Sequence, residues 1–557
     1  EDAGKILVGI FEGNSIPAWN ETNKVPEDFS FGEFQENFEH FEPYLASAIK
    51  RFPVLEKAGI RKFFSGPESF TPDTNTLLGE VPEIKNFFVC CGLNSIGIGS
   101  GGGVGKVTAE WLMTGHINED IFNYDIKRFQ KFHSELGFIK KRITESLGDL
   151  YGMHWPFKQH KTSRNIRTLP HHDNLKSFGA CFGVSGGYER PMWFALDGKK
   201  AEYEYSYNYQ SWYPSVEYET DNTIKNVGLY DLSPFSKFEI KSDVAHQELQ
   251  KICTSNIKHE IGKCIYTHML NIDGGIEADL TVVCLDDNHF RIISSAATRE
   301  RDKFHIKKHL SKKIKIKDVT DDYCVFGIFG PKSRSLMQNL SNDDFSDNSF
   351  KFATAKYIDF QGFKIWTQRL SYVGELGFEL YVKTEEAKKI YEMIINKGKN
   401  FNLSNCGMHA MDTMRMESGF LHWGHDMSPE ENQYEAGLSF TISFKKDTNF
   451  VGKEALQKIK NQKISKRFVM LTINKSVPGE PLLLHDEPIY LDNKIIGQTT
   501  SGNYSFNFRQ NLAFGYIKTD YTNEQLQSKN IFIEVEKKKY PSKILLKPLK
   551  KNNYKKL

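Results

Sequence analysis

Apolar and polar positions alternate along this chain with periods that change from one region to the next. Between residues 200 and 450, alternation or short apolar runs mark strands at "VGLYDLS", "KFEIKS", "ADLTVVCL", "HFRIISS", "CVFGIFG", "FKIWTQRLSY" and "FELYVK". Helical spacing lies between them, as in "EEAKKIYEMIINKG". Strands interspersed with helices, without strict alternation of the two, predict an α+β fold rather than a doubly wound sheet. Further on, "RFVMLTI", "EPIYLDNKIIGQTTSGNYS", "LAFGYI" and "IFIEVEKKKYPSKILL" are short strands at turn spacing and predict a small β-barrel. Upstream, "KILVGIFEG" predicts a strand, and "FEPYLASAIKRFPVLEKAG" a helix with Phe41, Leu45, Ile49 and Leu55 near one face. "NFFVCCG" reads as a buried strand running into a glycine-rich turn, and "KVTAEWLMTG" as a helix closed by Gly115. A charged helix is expected over "YDIKRFQKFHSELGFIKKRITESLGDL". The segment after it, rich in His, Pro and aromatics, reads as an ordered connector.

These patterns divide the chain at residues 1–115, 116–200, 201–455, 456–548 and a cationic tail, 549–557, read as a solvated, frayed terminus. A length of 557 residues agrees with several domains of about 150 residues each. The 73 Lys and Arg against 70 Asp and Glu leave a net charge of +3, too balanced for a general nucleic-acid binder. The eight cysteines form no CxxC pair, which argues against a zinc ribbon and for free thiols in a reducing compartment. "EDAGKILVGIF" is not a secretory signal. "NFFVCCGLNSIGIGSGGGVG" is uncharged, but its Gly and Ser half lacks the transfer energy of a membrane span, so the chain is read as soluble.

Four segments carry candidate chemistry. "GIGSGG" satisfies GxGxxG between a strand and a helix, but no acid-terminated strand follows, and the P-loop pattern also fails. What remains is a helix N-terminus, suited to a phosphate or to the anionic edge of a reduced flavin, or else a packing turn without a ligand. In "IDGGIEADLTVVCL", Asp279 borders an apolar run and is either a pocket carboxylate that holds an amine or a solvent-facing strand acid. In "RLSYVGELGFELYV", Tyr372 and Glu379 flank a glycine-bracketed turn, which suits a flat aminopyrimidine ring or makes a plain hairpin. In "GMHAMDTMRMESGFLHWGHD" the methionines read as core, and Arg415 with Glu417 as a structural pair. His154, His160, His171 and His172 lack metal-ligand spacing, and no GxSxG elbow has a matching triad.

In order along the chain, "GPESFTPDTNTLLGEVPEIKNFFVCCGLNSIGIGSGGGVGK", "YERPMWF", "YDLSPFSKFEI", "THMLNIDGGIEADLTV", "LSYVGELGFELYV", "MRMESG", "EAGL", "FVGKEAL" and "TTSGNYS…LAFGYI" resemble the dimethylglycine and sarcosine dehydrogenase family. That family also contains the regulatory subunit of pyruvate dehydrogenase phosphatase. The resemblance implies that 1–115 is the C-terminal part of an N-terminally truncated FAD-dependent oxidoreductase domain. It implies an aminomethyltransferase-like, folate-binding domain at 201–455 and the barrel at 456–548. It further implies that Asn94, Ser95, Ile96, Gly97 and Ile98 line FAD, that Asp279 is the catalytic acid on the folate side, and that Tyr372, Glu379, Trp423 and Tyr504 surround the pterin. The implied activity is FAD- and tetrahydrofolate-dependent demethylation of dimethylglycine or sarcosine, yielding 5,10-methylene-tetrahydrofolate. An electron-transfer flavoprotein is the implied acceptor, in a mitochondrial matrix for a eukaryotic source and in the cytoplasm otherwise. The alternative is a non-catalytic regulatory subunit that partners the phosphatase's catalytic subunit. Asn432-Gln433-Tyr434 departs from the family's usual Thr-Pro, and Met411 stands where the aminomethyltransferase has its folate-binding arginine, as in other dehydrogenases of this family.

Overall fold

The helical spacing around Phe41 becomes α1 (Phe38–Arg51), whose first turn is capped by the Asn37 side chain. It stops at Phe52 because the residue before Pro53 is held out of the helical region, so Leu55 falls in a following 3₁₀ turn. This computed structural model describes residues 4–13, 15–464, 466–551 and 554. The chain forms two units, one of residues 1–111, 123–154 and 160–164, the other of 112–122, 155–159 and 165–557.

In the first unit, residues 6–13 form no strand, contrary to the pattern reading. β1 (Leu77–Glu80) and β2 (Phe88–Cys91) pair as an antiparallel ribbon, and β2 is open to solvent at its end rather than buried. α2 (Gly97–Thr114) begins at Gly97 and absorbs the glycine-rich stretch. The turn lies earlier, where Asn94 and Ser95 adopt φ of +49° and +66°. α3 (Leu136–Asp149) covers only the second half of the expected charged helix, because the Asp125 carboxylate caps a separate 3₁₀ turn at Ile126–Arg128. α1 buries none of its residues and α2 buries only Trp111.

In the second unit, α4 (His172–Ser177) precedes a hairpin of β3 (Ala180–Ser185) and β4 (Tyr188–Phe194), within the stretch read as a connector. α5 (Tyr213–Lys225) leads into β5 (Val227–Asp231) and β6 (Ser236–Lys241). α6 (Ala245–Ile252), β7 (Cys264–Leu270), β8 (Ile276–Asp286), β9 (His289–Ser294), α7 (Arg299–His309) and β10 (Ile316–Asp318) complete a five-stranded antiparallel sheet in the order β10-β6-β9-β8-β7. Bulges interrupt β8 near both ends, opposite Met269/Leu270 and at Cys284/Asp286. The β7–β8 turn is fixed by Asn271, whose Oδ1 accepts the N–H groups of Asp273 and Gly275 at 3.0 and 2.8 Å.

β11 (Tyr323–Phe329), α8 (Ser333–Leu340), β12 (Ala355–Phe360), β13 (Phe363–Gln368), β14 (Gly377–Lys383), α9 (Ala387–Gly398) and β15 (Leu403–Cys406) add a six-stranded sheet, β12-β13-β14-β11-β5-β15, with β15 parallel to β5. α10 (Met408–Glu417) follows. Six strands, β16 (Lys466–Ile473), β17 (Pro488–Leu491), β18 (Lys494–Ser505), β19 (Gln510–Lys518), β20 (Ile531–Val535) and β21 (Lys538–Leu545), close the predicted barrel. Apolar residues of the five-stranded sheet pack under α6 and α7, those of the six-stranded sheet under α8 and α9, and a third cluster joins the inner faces of both sheets to α10. The fold is therefore α+β with a terminal barrel.

The tail departs from the expectation of a frayed end. Lys550 pairs with Glu375 and Tyr554 is buried, because the tail has an acid and two phenyl rings to meet; 552, 553 and 555–557 lie outside the described residues. Among the described residues, no helix is long and apolar enough to cross a membrane.

Candidate active site

The period of two along β6, β7, β8 and β9 sorts side chains between two faces. Phe238, Ile240, Met269, Ala278, Leu280, Val282, Phe290 and Ile292 form the apolar face. The opposite face carries Cys264, Tyr266 and His268 from β7 beside their register partners Val283, Thr281 and Asp279 from β8. Arg291 and Glu239 continue it across β9 and β6, joined by hydrogen bonds of 2.7 and 3.0 Å.

Asp279 sits at the edge of this polar face. Its side chain keeps 20% of its surface open, but Oδ1 is buried with no hydrogen-bond partner. Burial pushes its carboxyl up to about 7, the Asp302 charge adds to that, and the neighbouring Tyr266 hydroxyl opposes it. His268 lies 3.7 Å away and is fully buried, which holds its ring down to about 3, so it is neutral and forms no ion pair. The Thr441 hydroxyl donates to the Leu438 carbonyl at 2.7 Å and so accepts from His268 Nδ1 at 3.1 Å. Nε2 is then an acceptor for the Tyr266 hydroxyl at 3.2 Å. The single Tyr266 proton serves either the imidazole or the carboxylate. When it serves the imidazole, Asp279 needs a proton of its own. Phe440, three-quarters exposed, stacks on Tyr266 at 6.4 Å.

Glu379 belongs to the facing sheet. The same alternation buries Phe378, Leu380 and Val382 under α8 and α9 and turns Glu379 and Tyr381 to the inner face. Burial pushes Glu379 up to about 7, opposed by the Tyr381 hydroxyl, which donates to Oε2 at 3.2 Å. Its register partner Gln368 is fully buried, with a free Nε2 and with Oε1 3.9 Å from Cys264 Sγ. The inner faces meet here, since Arg291 also lies over the rings of Tyr323 and Tyr381 at 4.4 and 5.3 Å. Glu379 faces Cys264, and Asp279 lies opposite His268, four residues along β7. At about 3.3 Å per residue the two acids stand roughly 13 Å apart along one interior. Two acids raised toward neutrality by burial, with orphaned polar atoms on Asp279 and Gln368, suit a hydrogen-bonding heterocycle.

Tyr372 joins this interior. Its hydroxyl donates to the Leu421 carbonyl at 3.0 Å, its ring stacks on Phe420 at 6.0 Å, and it lies within electrostatic reach of Asp279. The structure does not bring Trp423 or Tyr504 to the two acids. The Trp423 indole N–H donates to the Ile276 carbonyl at 3.0 Å, and its ring is covered by Phe122 and Arg301. Tyr504 is buried against Phe506 and lines a separate recess with Trp212 and His409. Arg415 is structural, but its partners are Asp412 and Asp426 rather than Glu417. Tyr266, His268 and Gln368 escaped the sequence reading. Their signal was cross-strand register with Asp279 and Glu379, which needs the pairing to be known.

In the first unit, Asn94 is buried and committed to the turn. Its Oδ1 accepts from the Thr71 amide and hydroxyl at 2.8 and 3.2 Å, and its Nδ2 donates to the Gly92 carbonyl at 2.5 Å. Ser95, Ile96, Gly97 and Ile98 follow at the start of α2, with Ile96 and Ile98 exposed. A Cβ added at Gly99, Gly101, Gly102, Gly103 or Gly105 would meet nothing within 4 Å, so this helical backbone is open to close approach. An open helix start of this kind suits an anionic flavin edge.

Fold and site together define an aminomethyltransferase-type domain with its barrel, and the residues ahead of it match a flavin-dependent oxidoreductase. Residues 171–446 match the GCVT N-terminal domain, 466–551 the glycine cleavage T-protein C-terminal barrel domain, 2–111 the FAD dependent oxidoreductase domain and 114–168 its central domain. The aminomethyltransferase T of the glycine cleavage system from Bartonella henselae shares the fold, at TM-score 0.59 and 20% identity over 69% of this chain and 98% of that one. The chain is 35% identical to 4-methylaminobutanoate oxidase (formaldehyde-forming) of Paenarthrobacter nicotinovorans and 32% identical to human mitochondrial sarcosine dehydrogenase, over 98% and 92% of its length. It spans 65% and 59% of those two proteins. These relatives, with the mitochondrial dimethylglycine dehydrogenase of Rattus norvegicus at 30% identity, make the chain similar to the sarcosine and dimethylglycine dehydrogenases over more than nine-tenths of its length.

Proposed function

We propose that this protein takes part in FAD- and tetrahydrofolate-dependent oxidative demethylation of an N-methylated glycine, dimethylglycine or sarcosine, and that the space between its two sheets holds the one-carbon acceptor. The observation that carries this reading is the pair Asp279 and Glu379, turned into one interior from facing sheets, each pushed up to about 7. Glu379 and the free Gln368 N–H would hold the aminopyrimidine edge, and Tyr372 would flank it. A separation of roughly 13 Å then brings Asp279 toward the part of the ligand beyond the bicyclic ring. A carboxyl that titrates near neutrality can accept a proton from a reacting amine nitrogen and return it, and it stabilises positive charge while ionised. Tyr266 and His268 would orient that carboxyl from behind.

Bound flavin would supply the oxidation of the N-methyl group. The start of α2 would hold its anionic edge through helix N–H groups. Formation of 5,10-methylene-tetrahydrofolate by the same protein would keep free formaldehyde low. An electron-transfer flavoprotein as acceptor, and a matrix location for a eukaryotic source, follow from the same reading. A purely regulatory subunit would have no use for the two acids, and that favours the enzyme.

Calorimetric titration with tetrahydrofolate tests the acceptor site. Binding should be saturable, weakened by about tenfold or more in Glu379→Gln and altered in its pH dependence in Asp279→Asn. Unchanged affinity in both variants would overturn the assignment.

A further inference from the structure

The proposed chemistry leaves the residues beyond β21 without a role. There the chain turns back from the barrel toward the turn that joins Tyr372 to Glu379. Pro548 lies against Gly419, where an added Cβ would come within 2.6 Å of its ring. The Lys550 N–H donates to the Glu417 carbonyl at 2.9 Å, which fixes the tail on the end of α10. From there the Lys550 ammonium reaches Glu375 Oε1 at 2.5 Å and the Val373 carbonyl at 3.2 Å. Both side chains of this pair are only 10% exposed. Tyr554 is buried with its ring 5.3 Å from Phe352 and 5.8 Å from Phe420, and Phe420 is the ring that stacks on Tyr372.

The tail therefore reaches the site by two routes. One runs through charge, from Lys550 to Glu375, in the turn between Tyr372 and Glu379. The other runs through stacked rings, from Tyr554 through Phe420 to Tyr372. That turn leaves little slack, since Gly374 sits at φ +72° and an added Cβ would overlap Ser418 Oγ at 2.0 Å. A largely desolvated ion pair gains little net stability over an apolar contact of the same shape, but it fixes one geometry.

We propose that the C-terminal tail is a positioning strap for the acceptor site, with Lys550 and Tyr554 setting the places of Glu379 and Tyr372. It holds in advance a turn that would otherwise lose freedom when the ligand binds, so its loss should weaken binding more than it weakens the fold. The proposal rests on the reduced-pterin reading of the site. Its test therefore includes an arm that needs no ligand.

Lys550→Met keeps the stem and removes the charge, Lys550→Arg keeps the charge, and Tyr554→Leu cuts the ring route. In Lys550→Met and Tyr554→Leu, the Kd for tetrahydrofolate should rise about tenfold and amide exchange over residues 373–377 should quicken. Lys550→Met alone also leaves Glu375 unpaired and lowers Tm, whereas Lys550→Met with Glu375→Gln should keep the loss of binding with Tm close to the parent. Lys550→Arg should restore binding close to that of the parent. Parent-like affinity and exchange in both Lys550→Met and Tyr554→Leu would overturn the strap. If the parent itself does not bind tetrahydrofolate, the pterin reading fails, and exchange over 373–377 alone decides: quicker in the two variants supports the strap, unchanged refutes it.

Discussion

Replacing Asp279 by Asn should make the protein more stable at alkaline pH, although it removes the proposed catalytic acid. The carboxyl is pushed from its ordinary 3.8 up to about 7, chiefly by burial. A carboxylate raised on folding costs stability when ionised: the cost is fully present above the folded value and disappears as pH falls below the unfolded one. Three units at 1.36 kcal/mol each give about 4 kcal/mol at pH 8, falling to about 0.5 kcal/mol at pH 4. Asn keeps the shape and has no charge to bury. The variant should therefore gain up to about 4 kcal/mol over the parent at pH 8 and almost nothing at pH 4. With an unfolding entropy of about 2 cal/mol/K per residue and a unit of about 400 residues, the gain at pH 8 is roughly 4–5 °C in Tm. Urea unfolding of both proteins across that range reads the difference directly, and the many other titrating groups cancel between them. A gain independent of pH, or a loss at pH 8, would refute the claim that Asp279 is held against its preferred ionisation. A gain that fades on acidification would mark it as a group kept for chemistry at the expense of stability.

Arg415→Met should cost about 3–5 kcal/mol, because it leaves the fully buried Asp426 without its cation; a loss under about 1 kcal/mol in urea unfolding would contradict the structural role of this buried pair. Trp423→Phe should cost about 1–2 kcal/mol for the lost bond to the Ile276 carbonyl and leave tetrahydrofolate affinity unchanged, whereas weakened binding would return Trp423 to the site. Gly79→Ala should destabilise the first unit by about 1–3 kcal/mol, since its φ is +103° and the added methyl would sit 2.5 Å from the Trp111 ring; the emission of that tryptophan during unfolding is the readout.

The sequence showed the second unit well because its strands are buried on one face and alternate cleanly, as in "ADLTVVCL" and "FELYVK". Asp279 and Glu379 were legible for the same reason only as acids set beside apolar neighbours; their proposed place around a pterin came from the family resemblance. The sequence could not show His268 or Gln368, whose importance lies in facing those acids across a strand pair. Trp423 entered the site only through the family resemblance, and a chain of letters does not reveal that its N–H is already bonded and its ring covered. The first unit was least legible. There, "GIGSGGGVG" contains residues that weaken helices, and the helix forms through them nonetheless. "KILVGIFEG" has the composition of a strand, but a strand also needs a neighbour to pair with.

The two bulges in β8 and the Asn271-pinned turn ahead of it make this hairpin sensitive to counting rather than to spelling. Adding or dropping one residue between Asn271 and Ile276 would turn the strand over, pointing Ala278 and Leu280 into the interior and driving Asp279 into the oily layer beneath α7. Point changes in that loop should be survivable. A single-codon insertion or deletion there should abolish fold and chemistry in one step.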